Sequence, residues 1–184
     1  MAELTDTLNQ LLDGRADEIG RRIGADGGQT RSAIHAAVPT LLAALSTNAS
    51  RGAGLREAIA RDHDGSILDD LAGYLDGTAR LGPRTTNGAG ILEHTLGDRQ
   101  PDVQQALSAK SGLDVGSIGS LLALLAPIVM GMLGKRSGAS GGSGGIGGFG
   151  LDDLGNLLNR EETDARGGTS DVGDILDKFK GPKG

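Results

Sequence analysis

The sequence contains no cysteine and no tryptophan, a single tyrosine (Tyr74), and two phenylalanines (Phe149 and Phe179) that both fall in the last quarter of its 184 residues. Without cysteine there are no disulfides and no thiolate metal sites. With so few aromatics, any core must be built from Leu, Ile, Val and Ala. Such residues at helical spacing, with many alanines, favour packed helices over sheets, which draw on β-branched and aromatic side chains. The apolar/polar alternation that marks strands is missing throughout. So is any cluster of Lys and Arg. With 18 basic against 24 acidic residues the formal net charge is -6, which keeps the chain soluble and argues against a nucleic-acid surface. The start, "MAELTDTLNQ", has neither the basic nor the apolar region of a secretory signal, so a cytoplasmic location is expected.

What is present divides into a packed part and a loose part. The apolar fraction is only 37% because 33 residues are glycine, which points to one modest core. Leu4, Leu8, Leu11 and Leu12 recur at helical spacing until Gly14, and Ile19 and Ile23 mark a second short helix that ends at Gly24. "QTRSAIHAAVPTLLAALSTNA" is a long third segment, followed by "GLREAIARD", "SILDDLAGYLDG", "GILEHTLG" and "PDVQQALSAKSG", each of one to three turns. "LDVGSIGSLLALLAPIVMGMLGK" closes the packed part at Lys135. The expected fold is all-α: a multi-helix bundle over residues 1–136, a Gly/Ser-rich flexible linker over 137–150, and a tail over 151–184 with two short amphipathic helices.

Two features of the apolar segments stand out. "AVPTLLAALS" from Ala37 superposes on "LAPIVMGMLG" from Leu125, placing Pro39 on Pro127 and Leu45 on Leu133. This suggests either a short internal repeat or two core helices that need the same break. Each proline either opens a helix or kinks a longer one, at a cost of about 3 kcal/mol that packing must offset. The run Ile118 to Gly134 holds no charged residue and lies at the lower length limit for a membrane span. Its many small residues and the amphipathic segments around it favour a buried core helix instead, and no stable membrane insertion is expected.

Candidate chemistry is sparse. In "NGAGILEHTLGD", Glu93 and His94 follow a glycine-rich turn, and a catalytic or metal role would need a partner acid, histidine or nucleophile. His35 and His63 stand in other segments, and no HExxH, GxSxG or phosphate-binding glycine loop occurs. A helix end accounts for the same residues: Asn87 as N-cap, Gly97 as terminator, and His94 in the last turn, where the helix dipole favours positive charge. In "DHDGSILDD", Asp62, Asp64 and Gly65 match the middle of a calcium loop, but Ala60 and Leu71 occupy the first and twelfth positions, where acids are required. Helix initiation fits better, with Ser66 and Asp69 as a capping box and Asp64 at the helix start. No cofactor and no metal ligand set is expected. Gathering of two or more of Asp62, His63, Asp64, Glu93 and His94 in one cleft would weigh towards an enzyme, and scattering towards a binding role.

The ordered segments "AVPTLLAALSTNA", "DHDGSILDDLAGYL", "GILEHTLG" and "SGLDVGSIGSLLALLAPIVMGMLGK", with a glycine-rich tail after them, together resemble the bacterial domain-of-unknown-function family 937, a relative of the YidB-like proteins. The resemblance covers about Leu4 to Lys135. It implies an all-helical bundle in a bacterial cytoplasmic protein and carries no catalytic residues. The expected function is therefore that of a non-enzymatic interaction or structural protein, acting by self-association or by docking a protein partner. The tail contributes Val172, Ile175, Leu176 and Phe179, at i, i+3, i+4 and i+7, as partner-binding residues. Two alternatives stay open: an enzyme with a dispersed site, and a membrane-associated protein using the apolar helix 118–133.

Overall fold

A computed structural model describes residues 3–49 and 54–139. The linker beyond Ala139, the tail, and with them Val172, Ile175, Leu176 and Phe179 lie outside the described residues. Those that are described form helices α1 (Glu3–Asp13), α2 (Ala16–Ile23), α3 (Gly27–Ala49), α4 (Gly54–Asp62), α5 (Ser66–Asp69), α6 (Leu71–Asp76), α7 (Gly88–Leu96), α8 (Gln100–Ser111) and α9 (Val115–Ala139). There is no strand among them. The fold class is all-α, as the aliphatic composition implies.

Two helices organise the rest. α3 packs against α1, α2, α4, α7, α8 and α9, while α9 packs against α2, α3, α4, α5, α7 and α8. Both are apolar around most of their circumference, which suits a helix surrounded by others. The outer helices carry their apolar residues on one side. In α2, Ala16, Ile19, Gly20 and Ile23 are buried, and Asp17, Arg21 and Arg22 face outward. Leu4, Leu8, Leu12, Ile19, Ile34, Leu41, Leu42, Leu107, Ile118 and Leu121 are among the fully buried side chains. Each contributes roughly 1.5–3 kcal/mol by leaving water. Val115 is the one large hydrophobic side chain exposed among the described residues. The stretch Val115–Arg136 is long and apolar enough to cross a membrane by length and composition, and here it forms the centre of the bundle.

Pro39 and Pro127 both lie inside long helices rather than at their starts. A proline removes the hydrogen bond to the carbonyl four residues back and loosens the neighbouring turn. In each helix the carbonyl three residues before the proline accepts a side-chain hydroxyl: Ala36 from Thr40 at 2.7 Å, and Leu124 from Tyr74 at 3.1 Å. The carbonyl that Pro127 leaves without its helical donor belongs to Ala123. Gly88, at the start of α7, sits directly on that carbonyl, where a methyl group would overlap it.

The observed breaks differ from expectation in three places. "SILDDLAGYLDG" is two helices, not one, because Asp70 leaves helical geometry and its carboxylate accepts from Gly73 N at 3.0 Å, capping α6. The Ser66–Asp69 capping box does not form. Asp64 accepts from Ser66 N at 2.9 Å instead, and Asp69 pairs with Lys135 at 2.8 Å. Finally, α9 runs on through Ser137, Gly138 and Ala139, residues read as the start of the linker.

Candidate functional site

The expected helix end at "NGAGILEHTLGD" is present in full. Asn87 caps α7 by accepting from Gly90 N at 3.0 Å, and Gly97 terminates it at φ 53°. His94 lies in the last turn and donates Nδ1–H to the Gly90 carbonyl at 2.8 Å. That carbonyl can only accept, so the proton is fixed on Nδ1 and Nε2 is left uncommitted among the described residues. Glu93 is exposed and lines neither of the clefts described below.

His63 is seated by a glycine more than seventy positions away. Its backbone carbonyl rests on Gly134 of α9, where a methyl group would overlap it, and the following Gly65, at φ 97°, lies against Lys135 and the Gly131 carbonyl. Gly131 in turn makes room for Ile67. The glycines of α9 thus form a flat seat for the turn between α4 and α5. His63 is buried, with 4% of its surface exposed, and its Nδ1 has no hydrogen-bond partner among the described residues. Burial pushes its pKa below the ordinary value of 6.5, against the opposing pull of Asp62 and Asp64.

These two histidines line one cleft. A cleft of about 580 Å³ is lined by Asn48 of α3, Leu55, Ala58 and Arg61 of α4, His63, Arg84, Asn87, Gly90, Ile91, His94, Thr95, and Met130 of α9. Sequence distance concealed this shared wall, because α9 packs against both the His63 turn and α7. Asn48 ties the far side together by donating Nδ2–H to the Ala44 carbonyl at 3.1 Å and to the Thr95 carbonyl at 2.7 Å. Of the five residues singled out, His63 and His94 reach the cleft and Asp62, Asp64 and Glu93 do not line it. Asp62 is held by Arg61 at 3.0 Å, and the hydrogen bond from Arg61 keeps its carboxyl below the usual range. Asp64 is likewise lowered by the hydrogen bonds it receives from Ser66. Both aspartates are engaged in local structure.

His35 lies away from this region, its Nε2 on Asp13 at 2.9 Å, with Arg31 at 3.8 Å from the same carboxylate. A second cleft, of about 530 Å³, opens between α6 and α7 and is lined by Arg22, Tyr74, Thr86, Asn87, Ser120 and neighbours. Arg22 spends its guanidinium there on the Tyr74 and Leu75 carbonyls. No group of three or more His, Asp or Glu suited to a metal ion occurs among the described residues.

Arg61, Arg84, Asn48 and Thr95 went unnoticed as site residues in the sequence. Arg84 belongs to "RLGPRTTNG", which has no periodicity to give it a face. The signal within reach was the Gly131/Gly134 spacing on α9, since glycines in an otherwise packed helix mark where another backbone comes close.

No curated protein and no solved structure matches the chain. One family model does, over residues 6–136, from α1 into the last turns of α9, so that it takes in every helix lining the cleft. The chain accordingly belongs to the DUF937 family of bacterial proteins of unknown function.

Proposed function

We propose that the protein acts by binding rather than by catalysis, as an interaction protein whose bundle holds a binding cleft and whose C-terminal tail docks a protein partner or a second copy. The observation that carries this reading is the composition of the His63–His94 cleft. Its described lining has two imidazoles and two guanidinium groups over apolar side chains, but no carboxylate and no serine. The hydroxyl in it belongs to Thr95, which is buried. An imidazole there has no acid to orient it and no exposed nucleophile to activate. A cytoplasmic, soluble setting fits the net charge of -6.

The surface of the bundle supports the same division of labour. With Val115 as the one exposed large hydrophobic among the described residues, the helical faces are used up internally. Protein docking then falls to the tail, through Val172, Ile175, Leu176 and Phe179 at one-face helical spacing. Short helices of that kind are marginal until they find a surface, and a tether raises the local concentration for that docking. That His63 and His94 line one cleft favours a second reading, an acid–base enzyme.

Two measurements separate these. A panel of ester, amide and phosphoester substrates should give no turnover with the full chain, and turnover abolished by His94→Ala would establish the enzyme. The solution mass and recovered partners should change between the full chain, Phe179→Ala and a chain ending at Arg160. Identical results in all three would remove the tail from the proposal, and recovery of the intact protein with membranes would turn attention to helix 118–133.

A further inference from the structure

We propose that the His63–His94 cleft is the binding site for a small amphipathic anion, a carboxylate carried on a short aliphatic chain. Its head would lie at Arg84, and its body along Leu55, Ile91 and Met130. The inference rests on the binding reading above and names the ligand class.

Four independent features of the cleft point the same way. Its volume of about 580 Å³ falls within the range of small-molecule sites, roughly 300–1,000 Å³. Its formal charge is of one sign although the chain as a whole carries -6: two guanidinium groups line it without a described carboxylate. Arg61 is occupied, by Asp62 at 3.0 Å and Glu57 at 3.7 Å. Arg84 has no ion-pair partner within 4.0 Å among the described residues and influences Asp62 only through its field. It is the cation left to meet an incoming anion, by the bidentate geometry that guanidinium offers carboxylates.

The third feature is the buried His63, whose Nδ1 lacks a partner among the described residues. A buried polar atom without a hydrogen bond carries a standing desolvation cost, which a polar group bound beside His63 would relieve. The fourth is the apolar wall. Leu55 and Ile91 are half-buried, and Met130 adds a flexible thioether that adapts to chains of different shape. A bare inorganic anion would leave that wall wet, and a neutral lipid would leave Arg84 without a counter-charge. An amphipathic carboxylate satisfies both.

Isothermal titration of the full chain with octanoate tests this, alongside octylammonium, 1-octanol and inorganic phosphate as probes of charge, tail and head. Octanoate should bind at a single site, at least about tenfold tighter than the other three. Arg84→Gln should weaken octanoate by about tenfold or more at unchanged helical content, while Arg21→Gln, exposed on α2 and outside the cleft, should leave it as it was. Equal affinity for octylammonium, or octanoate binding indifferent to Arg84→Gln, would overturn the site. Failure here with tail docking intact would leave the broader binding role standing. Hydrolysis of p-nitrophenyl octanoate lost in both Arg84→Gln and His94→Ala would do the reverse, supporting the site while refuting the non-catalytic role.

Discussion

Tyr74 donates its hydroxyl to the Leu124 carbonyl from inside the core, and burial pushes its pKa up from 10.0 to about 12. The folded value exceeds the unfolded one, so the unfolded chain gives up this proton first. The stability it contributes is complete below pH 10 and is lost as pH rises through about 12. Because it is the one tyrosine in the chain, phenolate absorbance in an alkaline titration reports it without interference. The expected midpoint lies well above 10 while the protein is folded, and a midpoint at the ordinary value would contradict its burial. Tyr74→Phe should cost about 1 kcal/mol in denaturant unfolding and remove the alkaline loss. Single residues were legible in the sequence wherever local geometry made the demand. Asn87 as a cap and Gly24 and Gly97 as terminators follow from the backbone of one turn. His63 was not, because the backbone of its turn is seated on Gly134, and nothing local links the two.

The pairing of α7 with α9 rests on a coincidence of two backbones. Pro127 leaves the Ala123 carbonyl without its helical donor, and Gly88 brings its Cα onto that oxygen. Such contacts contribute up to about 1 kcal/mol as Cα–H···O bonds, but their larger effect is to set how closely the helices approach. Gly88→Ala would place a methyl group inside the carbonyl and push α7 outward, carrying His94 with it. We expect a loss of several kcal/mol, at the upper end for single substitutions, together with weakened octanoate binding. Wild-type thermal stability for Gly88→Ala would show that this approach is not what positions α7. The long helices were plain in the sequence because apolar residues ran through them for many turns. The division of α5 from α6 was not, since Ile67, Leu71, Tyr74 and Leu75 keep helical spacing across the break. A side-chain bond from Asp70 to Gly73 outweighed the periodicity.

Because α9 packs against α2, α3, α4, α5, α7 and α8, losing it would open the core on several sides. A chain of residues 1–136, which retains α9 apart from its last three positions, should unfold cooperatively by heat, with a midpoint within about 4 °C of the full chain. A broad, non-cooperative transition would mean that residues beyond 136 contribute to the core. The all-helical class was legible from composition, whereas the cleft was not. Its walls come from α3, α4, the His63 turn, the Arg84 loop, α7 and α9, and their meeting is a property of packing order that periodicity does not carry. That same central helix is also the last of the described helices to leave the ribosome. At roughly 5–20 residues per second, on the order of ten seconds separate the synthesis of α1 from that of Leu133. As each is made, the inward faces of α3, α7 and α8 stand without the element that covers them, so the nascent chain is at its most aggregation-prone shortly before it becomes able to fold.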